Sequence, residues 1–317
     1  MTKTRLFFVT DLHGSNLCFR KFLNSAKFYG AGVLILGGDI TGKSMVPIVS
    51  QPDGSYLTRH IGNELSITGE EHLQETLKQI GDAGAYPYVV DPDAYYSLQN
   101  EKDKRDRVFN QLIAERIEEW MRLAEERLAG STVRCYISPG NDDIFEIDTA
   151  LNSSSYVVNP EGKVVLIDDE HEMITLGYTN HTPWHSPREV DEAVLADKVE
   201  GLASHVKNTK KSIFNLHVPP IDTTIDQAPK VGADMKYVAK VGQVEVISAG
   251  SAAVRKSIED HQPMLGIHGH IHESRGIVNI GRTLCANPGS EYGEGILKGF
   301  LADVEGDKVE SYLLTSG

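Results

Sequence analysis

The stretch Leu6-Phe7-Phe8-Val9-Thr10-Asp11-Leu12-His13-Gly14 places polar side chains directly behind a short apolar run. An apolar run of this length, bounded by turn residues, predicts a buried strand. The same pattern, in which Asp, Asn or His follows an apolar run, recurs after four further segments: Val33–Leu36, Val133–Ser138, Ser212–Leu216 and Met264–Ile267. Helical periodicity lies between these segments, at residues 17–26, 70–82, 104–129, 188–206 and 252–260. The alternation predicts an α/β fold with crossover helices.

Turn sequences indicate that the sheets are partly antiparallel. Asn159–Gly162 predicts a hairpin between strands at 156–158 and 164–167, and the last hundred residues end in four strand-like segments. Two packed sheets accommodate these strands better than one doubly wound sheet. Because no linker or repeat divides the chain, we predict a single domain over residues 1–317. An excursion from the core at about 45–107 is a candidate cover for the active site.

Composition excludes several classes of protein. The 317 residues contain 31 Lys and Arg against 45 Asp and Glu, which gives a net charge of −14. This surplus of negative charge argues against nucleic acid as a partner, and no apolar stretch reaches the roughly 18 residues of a membrane helix. The N-terminal apolar run meets Asp11 before the core of a signal peptide can form, so we predict a cytoplasmic protein. The oligomeric state stays open.

The polar residues behind the predicted strands are the candidates for function. Parallel strands bring their carboxyl ends to one edge of a sheet, where open α/β folds bind ligands. Each signal alone has a simpler explanation: Asp11 as a turn or helix cap, His217 as a core histidine. His270 and His272, two residues apart on an extended segment, point to one face and are typical of a metal site. Together, these signals favour a metal site.

These residues resemble the ordered motifs of the calcineurin-like metallophosphoesterases, which are Asp-x-His, Gly-Asp, Gly-Asn-His, His and Gly-His-x-His. The matching stretches are Asp11–His13, Gly38–Asp39, Gly140–Asn141, His217 and Gly269–His272. The resemblance implies an αββα sandwich of two mixed sheets flanked by helices. It also implies two divalent metal ions, of which one is bound by Asp11, His13 and His272, the other by Asn141, His217 and His270, and both by a bridging Asp39.

A ligand set of imidazoles, carboxylates and an amide without thiolates suits Mn, Fe or Zn, and we favour Mn. The resemblance implies hydrolysis of a phosphodiester or phosphomonoester, with a metal-bound hydroxide as the nucleophile. Two metal ions would lower the pKa of that water and neutralise the phosphate oxygens. We favour a small soluble phosphodiester as the substrate.

One position departs from the family pattern, because Asp142 stands where Gly-Asn-His carries its catalytic histidine. Asp142 could act as an acid at neutral pH only if its surroundings raised its pKa. We therefore predict Asn141 and Asp142 as catalytic residues and consider His181 and His185 as sources of a substitute imidazole. Two alternatives remain: a catalytically weakened metal-binding scaffold of the same fold, and a two-metal hydrolase acting on a non-phosphate bond. Lys43, Arg59 and Arg188 are either phosphate contacts or, as we favour, solvated surface charges.

Overall fold

The computed structural model describes residues 3–60, 62–240 and 242–317. Its strands are β1 Thr4–Val9, β2 Val33–Gly37, β3 Met45–Ser50, β4 Tyr56–His60, β5 Asn63–Ile67, β6 Tyr86–Val90, β7 Arg134–Ser138, β8 Val164–Leu166, β9 Glu172–Leu176, β10 Ile213–Leu216, β11 Gln227–Pro229, β12 Ala239–Lys240, β13 Gln243–Val244, β14 Val246–Ser248, β15 Leu265–Ile267, β16 Gly276–Ile280, β17 Thr283–Asn287, β18 Lys298–Glu305 and β19 Lys308–Ser316. The α-helices are α1 Asn16–Tyr29, α2 Glu70–Asp82, α3 Pro92–Asn100, α4 Lys102–Leu128, α5 Ile147–Leu151, α6 Glu192–Ala203 and α7 Ala252–His261.

Two mixed sheets form the centre of the fold. The first has the order β19-β18-β1-β2-β7, with β1, β2 and β7 parallel and β18 and β19 antiparallel to their neighbours. The second has the order β16-β17-β15-β10-β9-β8, in which β17, β15, β10 and β9 are parallel. The antiparallel strands lie at the edges, as the turn sequences predict.

Side-chain alternation on β1 explains how the layers pack. Phe8 packs between the two sheets with Ile35 and Ile213, whereas Phe7 faces the opposite side. On that outer side of the first sheet lie α1 and α4, where Phe19 and Trp120 stack with ring centroids 4.1 Å apart. Helices α6 and α7 cover the outer side of the second sheet. This arrangement confirms the predicted αββα sandwich.

The predicted hairpin at 156–164 is wrong. Val158 forms an isolated parallel bridge with Tyr136 on β7, and β8 pairs with β9 instead. A turn is present at Pro160–Gly162, but it connects the first sheet to the second sheet instead of joining two paired strands. A turn sequence fixes the local bend and not the partner strand.

The excursion at 45–107 forms a four-stranded sheet of its own, in the order β5-β4-β3-β6. Strand β3 runs parallel to β6 and antiparallel to β4, and α2 and α3 belong to the same segment. Its small core contains Ile48, Ile67, Leu73 and Ile80. Its role as a cover stays a prediction.

The three cysteines, Cys18, Cys135 and Cys285, are buried free thiols. Among the described residues, the longest helices are too polar to cross a membrane.

Candidate metal centre

All seven predicted ligands follow the carboxyl end of a strand or lie in the next turn. Asp11 follows β1, Asp39 follows β2 and Asn141 follows β7 in the first sheet. His217 follows β10 and His270 follows β15 in the second sheet. The loops of both sheets converge at this edge of the sandwich, so the fold brings together residues that are up to 261 positions apart.

The backbone at these positions is strained. Asp11, His13, Asp39 and His270 have positive φ angles of 56°, 40°, 49° and 67°. A left-handed conformation costs a residue with a side chain about 1–2 kcal/mol. Such conformations persist where the surrounding structure fixes them, and they cluster at functional sites. Here they turn each side chain out of its strand toward the shared edge.

One group of ligand atoms comes from Asp11, His13 and His272, and these atoms all lie within 4.8 Å of one another. Nε2 of His13 is 3.0 Å from Nε2 of His272. The same Nε2 of His272 is 3.3 Å from Oδ1 of Asp11. Two imidazole nitrogens and one carboxylate oxygen therefore converge on a single point.

The second group comes from Asp39, His217 and His270, again within 4.8 Å of one another. Oδ1 of Asp39 is 3.3 Å from Nε2 of His217, and Oδ1 of Asn141 is 2.8 Å from Nδ1 of His270. The other oxygen of Asp39, Oδ2, is 3.8 Å from Nε2 of His13 in the first group. Asp39 thus has one oxygen toward each group.

A buried nitrogen without a partner supports a cation at this place. The Nδ1 of His217 lies 3.0 Å from the carbonyl oxygen of Gly37, and this contact orients the ring. Its Nε2 is buried and has no hydrogen-bond partner among the described residues. Because buried polar atoms are almost always satisfied, the free Nε2 beside Asp39 fits a metal ligand. The residues present therefore suit divalent cations.

The charges at the site lead to the same conclusion. Burial raises the pKa of Asp39 to about 6, and the neighbouring carboxylates Asp142 and Asp11 add to the rise. Burial alone would lower the pKa of His217, but Asp39 and Asp11 outweigh it and raise the value to about 10. Burial lowers the pKa of His270 to about 3, so that ring is neutral and free to bind a metal. A divalent cation would replace the proton that His217 otherwise holds.

Close approach of the loops requires glycine at two positions. A Cβ on Gly140 would lie 2.3 Å from Oδ1 of Asp39, and a Cβ on Gly38 would lie 2.4 Å from Nδ1 of His217. Gly38 also has a φ of 113°, which is accessible to glycine and not to other residues. The two glycines let the carboxylate and the imidazole meet.

Asp142 does not meet the condition for a proton donor. Its Oδ2 lies 2.5 Å from Nζ of Lys43, and its Oδ1 accepts a hydrogen bond from the hydroxyl of Ser186. Burial raises the pKa of Asp142, but Lys43 and Ser186 outweigh burial and lower it to about 2. Asp142 is therefore a carboxylate at neutral pH. One of its oxygens also lies within 4.8 Å of ligand atoms of His13 and Asp39.

The two substitute histidines lie apart from the predicted ligands. His181 is largely exposed, and its Nε2 is 3.2 Å from Oδ1 of Asp191. His185 is exposed with a φ of 54°, and neither ring lines the cavity of about 310 Å³ at the ligands. Their loop instead contributes Trp184 to that cavity and Ser186 to Asp142.

Sequence reasoning missed two residues that hold the site together. The buried carboxylate of Asp143 accepts hydrogen bonds from the backbone N–H groups of Ile40, Thr41 and Gly140 at 2.7–3.0 Å, which joins the Asp39 loop to the Asn141 loop. Arg188, which we expected at the surface, is buried and donates to the carbonyl oxygen of Asp143 at 2.9 Å. The second Asp of Asn141-Asp142-Asp143 was the available signal for Asp143.

Of the other two candidate phosphate contacts, Lys43 lines the cavity and Arg59 is exposed on β4. Lys43 is the one Lys or Arg side chain among the described residues that line this cavity.

Comparisons with known proteins agree with this fold. No protein-family model matches the chain. An uncharacterized protein of Methanocaldococcus jannaschii is 34% identical over 152 residues, which cover 47% of this chain and 61% of that protein. The crystal structure of TT1561 from Thermus thermophilus aligns with 100% of this chain and 99% of its own, at 14% identity and a TM-score of 0.54. A structure described as a novel archaeal phosphodiesterase aligns over 99% of both chains, at 11% identity and a TM-score of 0.36. At 14% identity the likeness to TT1561 concerns the fold alone.

Proposed function

We propose that the chain is a dinuclear metal-dependent phosphoesterase that hydrolyses a small phosphate ester. The observation that carries the proposal is the position of Asp39, whose two oxygens lie 3.3 Å from His217 of one ligand group and 3.8 Å from His13 of the other. A carboxylate placed between two groups of ligands is what a pair of neighbouring metal ions needs.

The ligand assignment follows the two groups. Asp11, His13 and His272 would hold one ion, Asn141, His217 and His270 the other, and Asp39 both. When bound, such ions activate water and neutralise the charge on phosphate oxygens. Mn, Fe and Zn all suit these ligands, and Mn is our first choice.

The chain's own residues contribute orientation and charge. Lys43 supplies an ammonium group to the lining of the cavity. This group pairs with Asp142, and the Ser186 hydroxyl donates a hydrogen bond to Asp142 in turn. A fixed cation near the transferring phosphoryl group stabilises the charge that develops in the transition state. Asn141 is positioned by Arg188, whose backbone N–H donates to the Asn141 carbonyl oxygen at 3.1 Å.

The cavity suits a small ester. Its volume of about 310 Å³ is at the lower end of small-molecule sites. Because the chain carries a net charge of −14, a long nucleic acid would be repelled over most of the surface. We therefore propose a small phosphodiester as the substrate class.

Hydrolysis of two chromogenic esters tests the proposal. Metal-free protein with Mn²⁺ added back should hydrolyse bis(p-nitrophenyl) phosphate faster than p-nitrophenyl phosphate. Asp39→Asn should lower kcat/KM by a factor on the order of 10² or more, because it removes the charge shared by both ligand groups. Asp197→Asn on the exposed face of α6 is the matched control and should leave the rate unchanged.

Retained turnover in Asp39→Asn would contradict the ligand assignment. A wild-type chain that binds metal without hydrolysing either ester would favour the scaffold alternative. The observation that favours that alternative is the ionised carboxylate of Asp142. It occupies the position at which the Gly-Asn-His motif of the metallophosphoesterases carries a histidine.

A further inference from the structure

A second cavity of about 390 Å³ opens beside the one at the predicted ligands. The two cavities share the side chains of Trp184, Tyr237, His270 and Glu273. We call the second cavity the side cleft. Because His270 is a predicted ligand, a molecule bound at the metal centre can extend directly into the side cleft.

The walls of the side cleft come from two separate segments. Trp184 lies on the loop between β9 and α6, and Tyr237 lies between β11 and β12. The side chain of Glu189 is almost fully buried and accepts a hydrogen bond from the backbone N–H of Thr182, at 3.0 Å. The backbone N–H of Trp184 donates to the Thr182 hydroxyl at 3.2 Å. The loop is therefore anchored on both sides of Pro183.

Neighbouring residues cover the rings of Trp184 and Tyr237 only in part. Trp184 and Tyr237 are each 62% exposed, although both stand at the boundary between the two cavities. Exposed aromatic rings gain free energy when a flat group stacks on them. Further apolar surface comes from Ile221, Val231 and Ile247. The side cleft therefore offers stacking and apolar contact.

The described lining of the side cleft is acidic. It contains Glu192 and Glu273 and includes neither Lys nor Arg, whereas the metal cavity, which shares Glu273, has Lys43 beside Asp142. Glu192 is held in place, since it accepts hydrogen bonds from the Ser251 hydroxyl and the Ala253 N–H, both at 2.8 Å. A second phosphate in the side cleft would meet carboxylates, so an anionic group is disfavoured there.

We propose that the side cleft binds an uncharged planar ring carried by the substrate's ester group, while the phosphate lies at the metal centre. The substrate class is then a phosphodiester with one nucleoside or aryl substituent, and not a polyphosphate. This inference rests on the proposed function. A volume of about 390 Å³ falls within the usual range of small-molecule sites and accommodates such a group.

Three diesters with the same p-nitrophenolate leaving group test the inference: the thymidine 5′, phenyl and methyl esters of p-nitrophenyl phosphate. Wild-type kcat/KM should be at least about 10-fold higher for the thymidine and phenyl esters, which carry a second ring besides the p-nitrophenyl leaving group, than for the methyl ester, as expected for one stacked ring. Trp184→Leu and Tyr237→Leu should each reduce that ratio to about 3 or less. A thymidine ester favoured over the phenyl ester identifies a nucleoside, and equal rates for these two identify any aryl group.

Direct binding provides a readout that does not depend on hydrolysis. Equilibrium dialysis of labelled thymidine against metal-free protein should show saturable binding that Trp184→Leu weakens at least about 5-fold. Tyr312→Leu removes an aromatic ring that is 50% exposed on β19, outside the side cleft, and should bind thymidine as the wild type does.

The two proposals fail in different ways. Hydrolysis of all three esters at equal rates, with no thymidine binding, overturns the side-cleft assignment and leaves the phosphoesterase proposal intact. An unchanged ratio in both Trp184→Leu and Tyr237→Leu also overturns it. Thymidine binding that depends on Trp184, without hydrolysis of any ester, contradicts the phosphoesterase proposal and supports the side cleft.

Discussion

Lys43 and Asp142 form a charged pair beside the predicted ligands. Their side-chain atoms lie 2.5 Å apart, and the Lys43 ammonium group keeps the pKa of Asp142 near 2 against the effect of burial. The pair therefore carries both charges at neutral pH. Because the pair has no net charge, a carboxylate beside the proposed phosphate site need not repel the substrate.

Removing Lys43 should weaken catalysis more than folding. In Lys43→Met, Asp142 loses its partner and the phosphate loses a fixed cation, so kcat/KM should fall by a factor on the order of 10–100. Lys256→Met is the matched control, because Lys256 also pairs with an aspartate, Asp260, at 2.7 Å on an exposed helix face. Steady-state kinetics with bis(p-nitrophenyl) phosphate compares the two variants, and equal rates for both would remove Lys43 from the site.

The loops that follow β2 and β7 are the elements on which the site depends most. Gly140 leaves no room for a Cβ beside the Asp39 carboxylate, and Asp143 links the same two loops through backbone N–H groups. The chain's own residues therefore hold the two loops together. Residues of this kind, which orient ligands without binding the metal, affect metal affinity about 10–100-fold.

Adding one methyl group at Gly140 should disrupt the centre. In Gly140→Ala the new Cβ would fall 2.3 Å from both the Asp39 N and its Oδ1, so the loop must move. We expect metal affinity to fall by at least about 10-fold. Gly201→Ala is the control, because its Cβ meets nothing within 4 Å on α6 and alanine stabilises a helix interior by about 0.5–1 kcal/mol. Metal titration by calorimetry distinguishes the two, and unchanged affinity in Gly140→Ala would contradict the described contact.

Sequence predicted the elements and the ligands to different degrees. Strand Val33–Gly37 and helix Ala252–His261 lie within a residue of their predicted bounds, because apolar periodicity determines which face is buried. The clustering of the predicted ligands followed from the sequence, because each comes after a strand whose carboxyl end lies at one edge. The partner of residues 156–158 was not, since strand pairing depends on tertiary packing. Arg188 and the side cleft were missed for the same reason: both arise from segments distant in sequence.

The two sheets are also linked through an ion pair in the β8–β9 turn, outside the predicted metal centre. The His171 Nδ1 lies 2.6 Å from Oδ2 of Asp168, and its Nε2 lies 2.8 Å from the carbonyl oxygen of Gly306, between β18 and β19. Asp168 also accepts a hydrogen bond from the Thr4 hydroxyl on β1 at 2.5 Å. The contacts link the β8–β9 turn of the second sheet to two strands of the first.

This pair should make stability depend on pH. Burial lowers the pKa of His171, but Asp168 and Gly306 outweigh burial and raise it above the unfolded value of about 6.5. The stabilisation is fully present below pH 6.5 and is lost as the pH rises through the folded value. Burial raises the pKa of Asp168, but its hydrogen bonds outweigh burial and lower it, so its contribution is lost only in acid, below about pH 4.

His171→Gln should therefore reduce the free energy of unfolding by more at pH 6 than at pH 9. Urea denaturation in the presence of a chelator measures this difference without interference from bound metal. The exposed His205, changed to Gln, is the control and should show no such difference. An equal cost at both pH values would mean that His171 is not charged in the folded protein.

If two metal ions share Asp39, the metal content of the protein should depend on this residue. Metal-free wild-type protein and Asp39→Asn would be loaded with Mn²⁺, freed of excess metal by gel filtration and analysed by mass spectrometry of the metal. We expect two Mn per wild-type chain and at most one per Asp39→Asn chain. Two Mn retained by Asp39→Asn, or none bound by the wild type, would contradict this expectation.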